Sequence, residues 1–213
     1  MDEIFNPDGK FFRFMEKFLE LVKLNALWVI FSLPVITAGA STFAMFTVAG
    51  QIADGEEGYI WKSFWKAFRG NWKKSSLLWL VTGGIGMGLL LDYRFWSVLD
   101  SPVSGMMKGF TIALIIVYLT GAIYVFPLAA RMDCSVKIIL QNSWFLGVKY
   151  LPRTLLMLVW IALEAFAVRL WALALLMGML LGVSGMAWLI EIHMKKIFGK
   201  EHIIETEEQG ALS

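Results

Sequence analysis

Few residues of this chain have both the type and the spacing to do chemistry. Glu164 and Arg169 fall within or at the edge of a long apolar block, where an ionisable side chain is costly enough to read as a functional candidate by default. Five residues apart on a helix they point about 140° away from each other, so a direct pair on one face is not expected. Arg169 then marks a turn. Glu164, with the helix-breaking Pro34, stands as the candidate intramembrane polar site. His193 near Glu191 has the residue types of a metal site, but a solvated juxtamembrane helix end accounts for them better. Cys134 is the single cysteine, which rules out an intrachain disulfide, and no histidine lies near it in sequence. The glycines sit inside apolar runs and not in a strand-to-helix phosphate loop. The expectation is no catalytic residue, no cofactor and no metal: not an enzyme.

The elements that hold these residues are apolar and long. Of 213 residues 58% are hydrophobic and 17% charged, with a mean hydropathy of +0.67. Soluble domains run at about 45–50% and about 25%. A domain of this size has too little interior to hide 10 Trp, 16 Phe and 12 Met beside several Leu-rich runs. Apolar runs cover 24–50, 75–91, 109–130 and 154–190, against the roughly 20 residues a spanning helix needs. The last run is too long for one helix and divides at Arg169 into 154–168 and 171–190. The fold class is therefore all-α: a polytopic transmembrane helix bundle of about five spans plus interfacial amphipathic helices. Residues 1–23 form an N-terminal amphipathic segment, 51–74 and 131–153 interfacial loops, and 191–213 a charged tail. A cleaved leader is disfavoured, because the first 23 residues are long and acidic and hydrophobicity continues past Ala38-Gly39-Ala40.

Basic residues orient the chain. Lys and Arg concentrate in 51–74, 131–153 and the tail, which places those segments on the cytoplasmic side of the membrane. If all five segments span, the N-terminus falls outside despite its own four basic residues. If the first segment instead dips in and returns at Pro34, the count becomes sixteen against three. A re-entrant turn needs its freed backbone groups satisfied, so the reading adopted is a kinked helix that still spans.

Trp61, Phe64, Trp65, Phe68 and Trp72 recur at steps of three and four, with Lys62, Lys66, Arg69 and Lys73 between them. That is an interfacial helix with cations toward anionic lipid, and a candidate partner-binding face. Gly70 is placed to loosen its end. Gly84/Gly88 and Gly178/Gly182 are small-xxx-small pairs, expected to serve helix packing. The small net charge of +2 gives no argument for nucleic acid.

The run Leu24-Asn25-Ala26-Leu27-Trp28 followed by Ser32-Leu33-Pro34-Val35-Ile36-Thr37-Ala38-Gly39-Ala40 resembles the opening of the YesL-like family of bacterial membrane proteins. Residues 63–74 resemble that family's first basic loop, and Leu151-Pro152-Arg153-Thr154-Leu155 its second. The resemblance covers most of the chain. It implies a domain of unknown function whose genes often accompany sugar-uptake transporters and polysaccharide use, and it supplies no catalytic residues.

The function expected is an accessory, partner-binding membrane component linked to carbohydrate uptake or sensing, with the lipid bilayer and membrane transporter subunits as partners. The alternative is a small transporter or channel component with its pore at Pro34 or Glu164. Sparse intramembrane polarity favours the first.

Overall fold

A computed structural model describes residues 10–56, 58–99, 101–170 and 182–196. As expected, the architecture is all-α. Its helices are α1 (Lys10–Ser32), a 3₁₀ turn (Val35–Thr37), α2 (Ala38–Asp54), α3 (Ile60–Val98), α4 (Ser104–Arg131), α5 (Val136–Lys149), α6 (Leu151–Leu170) and α7 over 183–196. Among the described residues three are long and apolar enough to cross a membrane, or four if the bent pair of α5 and the start of α6 counts as one. The fifth expected span, 171–190, falls mostly outside the described residues.

The first segment is not one kinked helix, as expected; it reverses, and the returning arm Val35–Asp54 is itself long and apolar enough to cross a membrane. Proline removes a donor and pushes the residue before it away from α geometry, and α1 stops at Ser32, two residues before Pro34. The freed carbonyls find partners in the returning helix. Thr37 Oγ1 donates to the Phe31 carbonyl at 2.8 Å and Ser41 Oγ to the Trp28 carbonyl at 3.0 Å. Trp28 Nε1 donates to Thr42 Oγ1 at 3.1 Å. Residues 13 apart on one straight helix would be separated by about 20 Å, so α1 and α2 form a hairpin. Its tip meets α3 at Ser75 and Trp79, where a Cβ on Gly39 would come within 2.5 Å of the Ser75 oxygen. That is the start of the apolar run of α3, not its far end. The satisfied carbonyls meet the requirement that a re-entrant turn imposes.

Helix α3 absorbs both the interfacial segment and the second span. Its break falls at Asn71 (φ −122°, ψ 16°), directly after Gly70. α4 returns antiparallel to it, tied by Tyr118 Oη donating to the Thr82 carbonyl at 2.7 Å and Lys74 to Asp133 at 3.0 Å. The 131–153 loop is not a helix lying on the surface alone. α5 climbs along α4 until Gly147 touches Thr120, about 16 Å from the end of α4 at 1.5 Å per residue. It then bends by 97° into α6. Thr154, fully buried, holds that corner by donating to the Gly147 carbonyl at 3.0 Å beside Tyr124 Oη, also at 3.0 Å. Arg169, expected to mark a turn, stands next to the last described residue of α6, and 171–181 lie outside the described residues.

The buried core gathers around α2, whose Phe43, Ala44, Met45, Val48 and Ala49 are enclosed by α1, α3 and α4. α7 joins it through Asn25 of α1, whose Oδ1 accepts from the Ser184 amide at 3.2 Å, while Ser184 Oγ donates to the Leu21 carbonyl at 2.8 Å.

Candidate functional site

Three helix ends converge on one charge cluster. Arg131 closes α4, where a cation complements the partial negative charge of the helix C-terminus. Asp54 closes α2, which Gly55 caps in the left-handed conformation (φ 77°). Glu191 and Lys195 stand four apart on α7 and so share a face. Arg131 Nε donates to Glu191 Oε2 at 2.7 Å, and Lys195 Nζ to Asp54 Oδ1 at 2.9 Å. Arg131 Nη2 lies 3.6 Å from Asp54 Oδ2. Glu191 has no exposed surface. Room for the pair comes from Gly50, where a Cβ would sit 3.4 Å from Glu191 Oε2 and 3.6 Å from Arg131 Nη2.

Burial pushes the Glu191 carboxyl up to about 7, with Arg131 drawing it back and Asp54 adding to the rise. Glu191 lies past the last apolar run, which ends at Ile190. A carboxyl raised above its ordinary 4.5 binds more protons folded than unfolded between those values. Its contribution is fully present below about pH 4.5 and is lost as pH rises through about 7. Glu191→Gln should flatten the fall in stability across that window; an unchanged slope in pH-dependent unfolding would assign it to other groups.

This cluster corrects the sequence reading, which puts Glu191 in a solvated tail. Residues 191–196 continue α7, and the first of them is buried. His193 Nδ1 lies 2.8 Å from the Leu189 carbonyl oxygen of its own helix. Among the described residues no group of three His, Cys, Asp or Glu is placed to hold a metal ion. The signal that could have found the cluster was the Glu191/Lys195 spacing together with Asp54 and Arg131 at the ends of apolar runs.

The aromatic face predicted on 61–72 divides into two edges. Phe64 is fully buried and Phe68 half-buried. Phe31 of α1 sits among Trp61, Phe64, Trp65 and Phe68 at ring-centroid distances of 5.3–6.0 Å. Trp61, Trp65 and Trp72 stay 54%, 38% and 48% exposed, the first two stacked at 6.1 Å. Lys62, Lys66, Arg69 and Lys73 line the same helix between them.

The remaining predicted residues are placed variously. Pro34 is exposed at the hairpin tip. Glu164 and Arg169 belong to α6, and their side chains lie outside the described residues. Gly84 and Gly88 are exposed, with nothing among the described residues within 4 Å of a Cβ at either. Gly178 lies outside the described residues, and Gly182 is half-buried at the start of α7. Close packing falls instead on Gly39, Gly121 and Gly147: a Cβ on Gly121 would come within 2.9 Å of the Trp144 ring, and one on Gly147 would overlap the Thr120 carbonyl. The four-residue spacing that singled out Gly84/Gly88 carries no information about which face meets another helix.

No solved structure matches the chain. Residues 21–93, which hold the hairpin and most of α3, match the family described as a protein of unknown function, DUF624. The uncharacterised protein YesL of Bacillus subtilis (strain 168) is 29% identical over 143 residues, 65% of this chain and 67% of YesL. The uncharacterised protein YteU of the same organism is 29% identical over 157 residues, 70% of this chain and 69% of YteU. The resemblance carried by the Leu24–Ala40 motif is therefore real: the chain is similar to YesL and YteU, and its residues 21–93 match the DUF624 model.

Proposed function

We propose that the protein is an accessory subunit of a cell-membrane complex for carbohydrate uptake or sensing, docking through its cytoplasmic aromatic–basic face. The observation that carries this reading is the division of the 61–72 stretch. Phe64 and Phe68 pin it to Phe31, so Trp61 and Trp65, half-exposed against the same ring, are presented on a fixed surface beside four cations, with Trp72 exposed just past the break at Asn71. Exposed tryptophans held rigid are the residues that anchor protein interfaces. The cytoplasmic assignment is supported by Lys/Arg distribution, which the hairpin makes sixteen against three. Asp54, Arg131 and Lys195, from three of the four basic segments assigned to that side, also meet at one cluster. The carbohydrate link rests on the resemblance to YesL-like proteins.

Affinity purification of the tagged chain from mild detergent should recover importer permease or solute-binding subunits. Replacing Trp61, Trp65 and Trp72 with Ala should abolish that recovery in protein that melts as a folded chain; Phe64 and Phe68 still pack on Phe31, although the Trp61 and Trp65 contacts to that ring are lost. A preparation with no partner, or purified protein moving a sugar unaided in liposomes, would end the accessory reading.

A further inference from the structure

A cavity of about 470 Å³ lies between α1 and the start of α3, within the usual range for small-ligand sites. Glu20 and Lys23 line it from α1, with Leu27 below them; Tyr59, Ile60 and Trp61 close the other side. Glu20 and Lys23 are three apart and face the same opening, and neither forms an ion pair with a described residue. Leu27 and Ile60 are half-buried and give an apolar floor, while Tyr59 and Trp61 are exposed at the rim. Lys62 Nζ stands 4.9 Å from the Tyr59 ring centroid, a second cation at the mouth.

An apolar floor under one carboxylate and one ammonium complements an amphiphile whose head carries both charges. A purely anionic head would set its phosphate against Glu20; a purely cationic one would face Lys23. We infer that this cavity binds the headgroup of phosphatidylethanolamine, its phosphate accepting from Lys23 and its ammonium donating to Glu20. Such charge-assisted hydrogen bonds are about twice as strong as neutral ones, and the Trp61 ring adds an attractive surface for the ammonium. Choline lacks the N–H donors that Glu20 would accept. Burial and Glu16 push the Glu20 carboxyl up while Lys23 and Lys17 draw it down, so an arriving ammonium offsets a cost already present. Ile30, exposed one turn past Leu27 on the same face of α1, continues the apolar path for acyl chains. Trp61 is shared with the docking face, whereas Glu20 and Lys23, on which the test turns, are not.

The test is native mass spectrometry of the full chain, stripped of lipid in mild detergent and titrated with phosphatidylethanolamine, phosphatidylglycerol and phosphatidylcholine of matched chains. Phosphatidylethanolamine should bind at least about five-fold more tightly than either, the equivalent of about 1 kcal/mol. Glu20→Gln should erase its advantage over phosphatidylglycerol, and Lys23→Ala should weaken all three lipids. Lys108→Ala, away from the cavity, is the control and should change nothing. Equal retention of phosphatidylglycerol, or a preference that survives Glu20→Gln in protein melting like the parent, would overturn the assignment. Should Glu20→Gln not fold, Tyr59→Ala serves in its place: loss of the ethanolamine preference supports the site, and its persistence overturns it.

Discussion

At about pH 8 and above, where Glu191 is ionised, Arg131→Met should destabilise the protein by about 3–5 kcal/mol, because it strands the carboxylate in a fully buried site. That is a large share of the roughly 5–15 kcal/mol by which folded domains exceed their unfolded states. The bond lost is short, 2.7 Å, and Arg131 also draws Asp54, 3.6 Å away. Gly50 offers the carboxylate no donor beyond its backbone. The double variant Arg131→Met/Glu191→Met should recover to within about 1 kcal/mol of the parent, since replacing both members of a buried pair by apolar residues is often neutral or better. Lys195→Ala should cost less than about 1 kcal/mol, because the Lys195–Asp54 pair is half in solvent. Denaturant unfolding in detergent reads all three. If Arg131→Met melts with the parent, or the double variant is no better than the single, Glu191 is not held as described. The physical consequence of the cluster is that α7 is fastened to the ends of α2 and α4, so loss of Arg131 should also expose 183–196 to proteolysis.

Gly147→Ala should be nearly as damaging. A Cβ there overlaps the Thr120 carbonyl oxygen and comes within 2.7 Å of its carbon. Overpacking costs about 1–3 kcal/mol and sometimes more; here the obstacle is backbone, which cannot rotate away, so the upper end applies. Separating α5 from α4 would also pull Thr154 from the Gly147 carbonyl and from Tyr124 Oη, both at 3.0 Å. The same substitution at Gly84 meets nothing among the described residues, and should be neutral or gain up to about 1 kcal/mol of helix propensity. Thermal melts of the two variants side by side decide the matter. A Gly84→Ala variant that falls while Gly147→Ala stands would reverse the assignment of packing faces.

Composition and run length were enough to read an all-helical chain with membrane-spanning helices, because lipid rewards long apolar stretches whatever their neighbours. The second and third runs, 75–91 and 109–130, lie within α3 and α4 for the same reason. The aromatic periodicity of 61–72 was legible as a helical face, and Gly70 as the point where it loosens. Local chemistry also announced the break at Pro34, since a missing donor acts within one turn.

Whether the chain kinks there or reverses depended on partners 6 to 14 residues away, Phe31 with Thr37 and Trp28 with Ser41 and Thr42, that exist only once the hairpin has closed. The split of the aromatic face into buried and exposed edges required Phe31, which sequence places in a different segment. Glu191 looked like one charge among many in a tail; its partner Arg131 is 60 residues away, and its burial is set by α2 passing beside it with a glycine. Run length and periodicity are properties of neighbours along the chain, and the sequence determined their consequences by itself. Reversal, burial and ion pairing are properties of neighbours in space, and only the tertiary structure decided those.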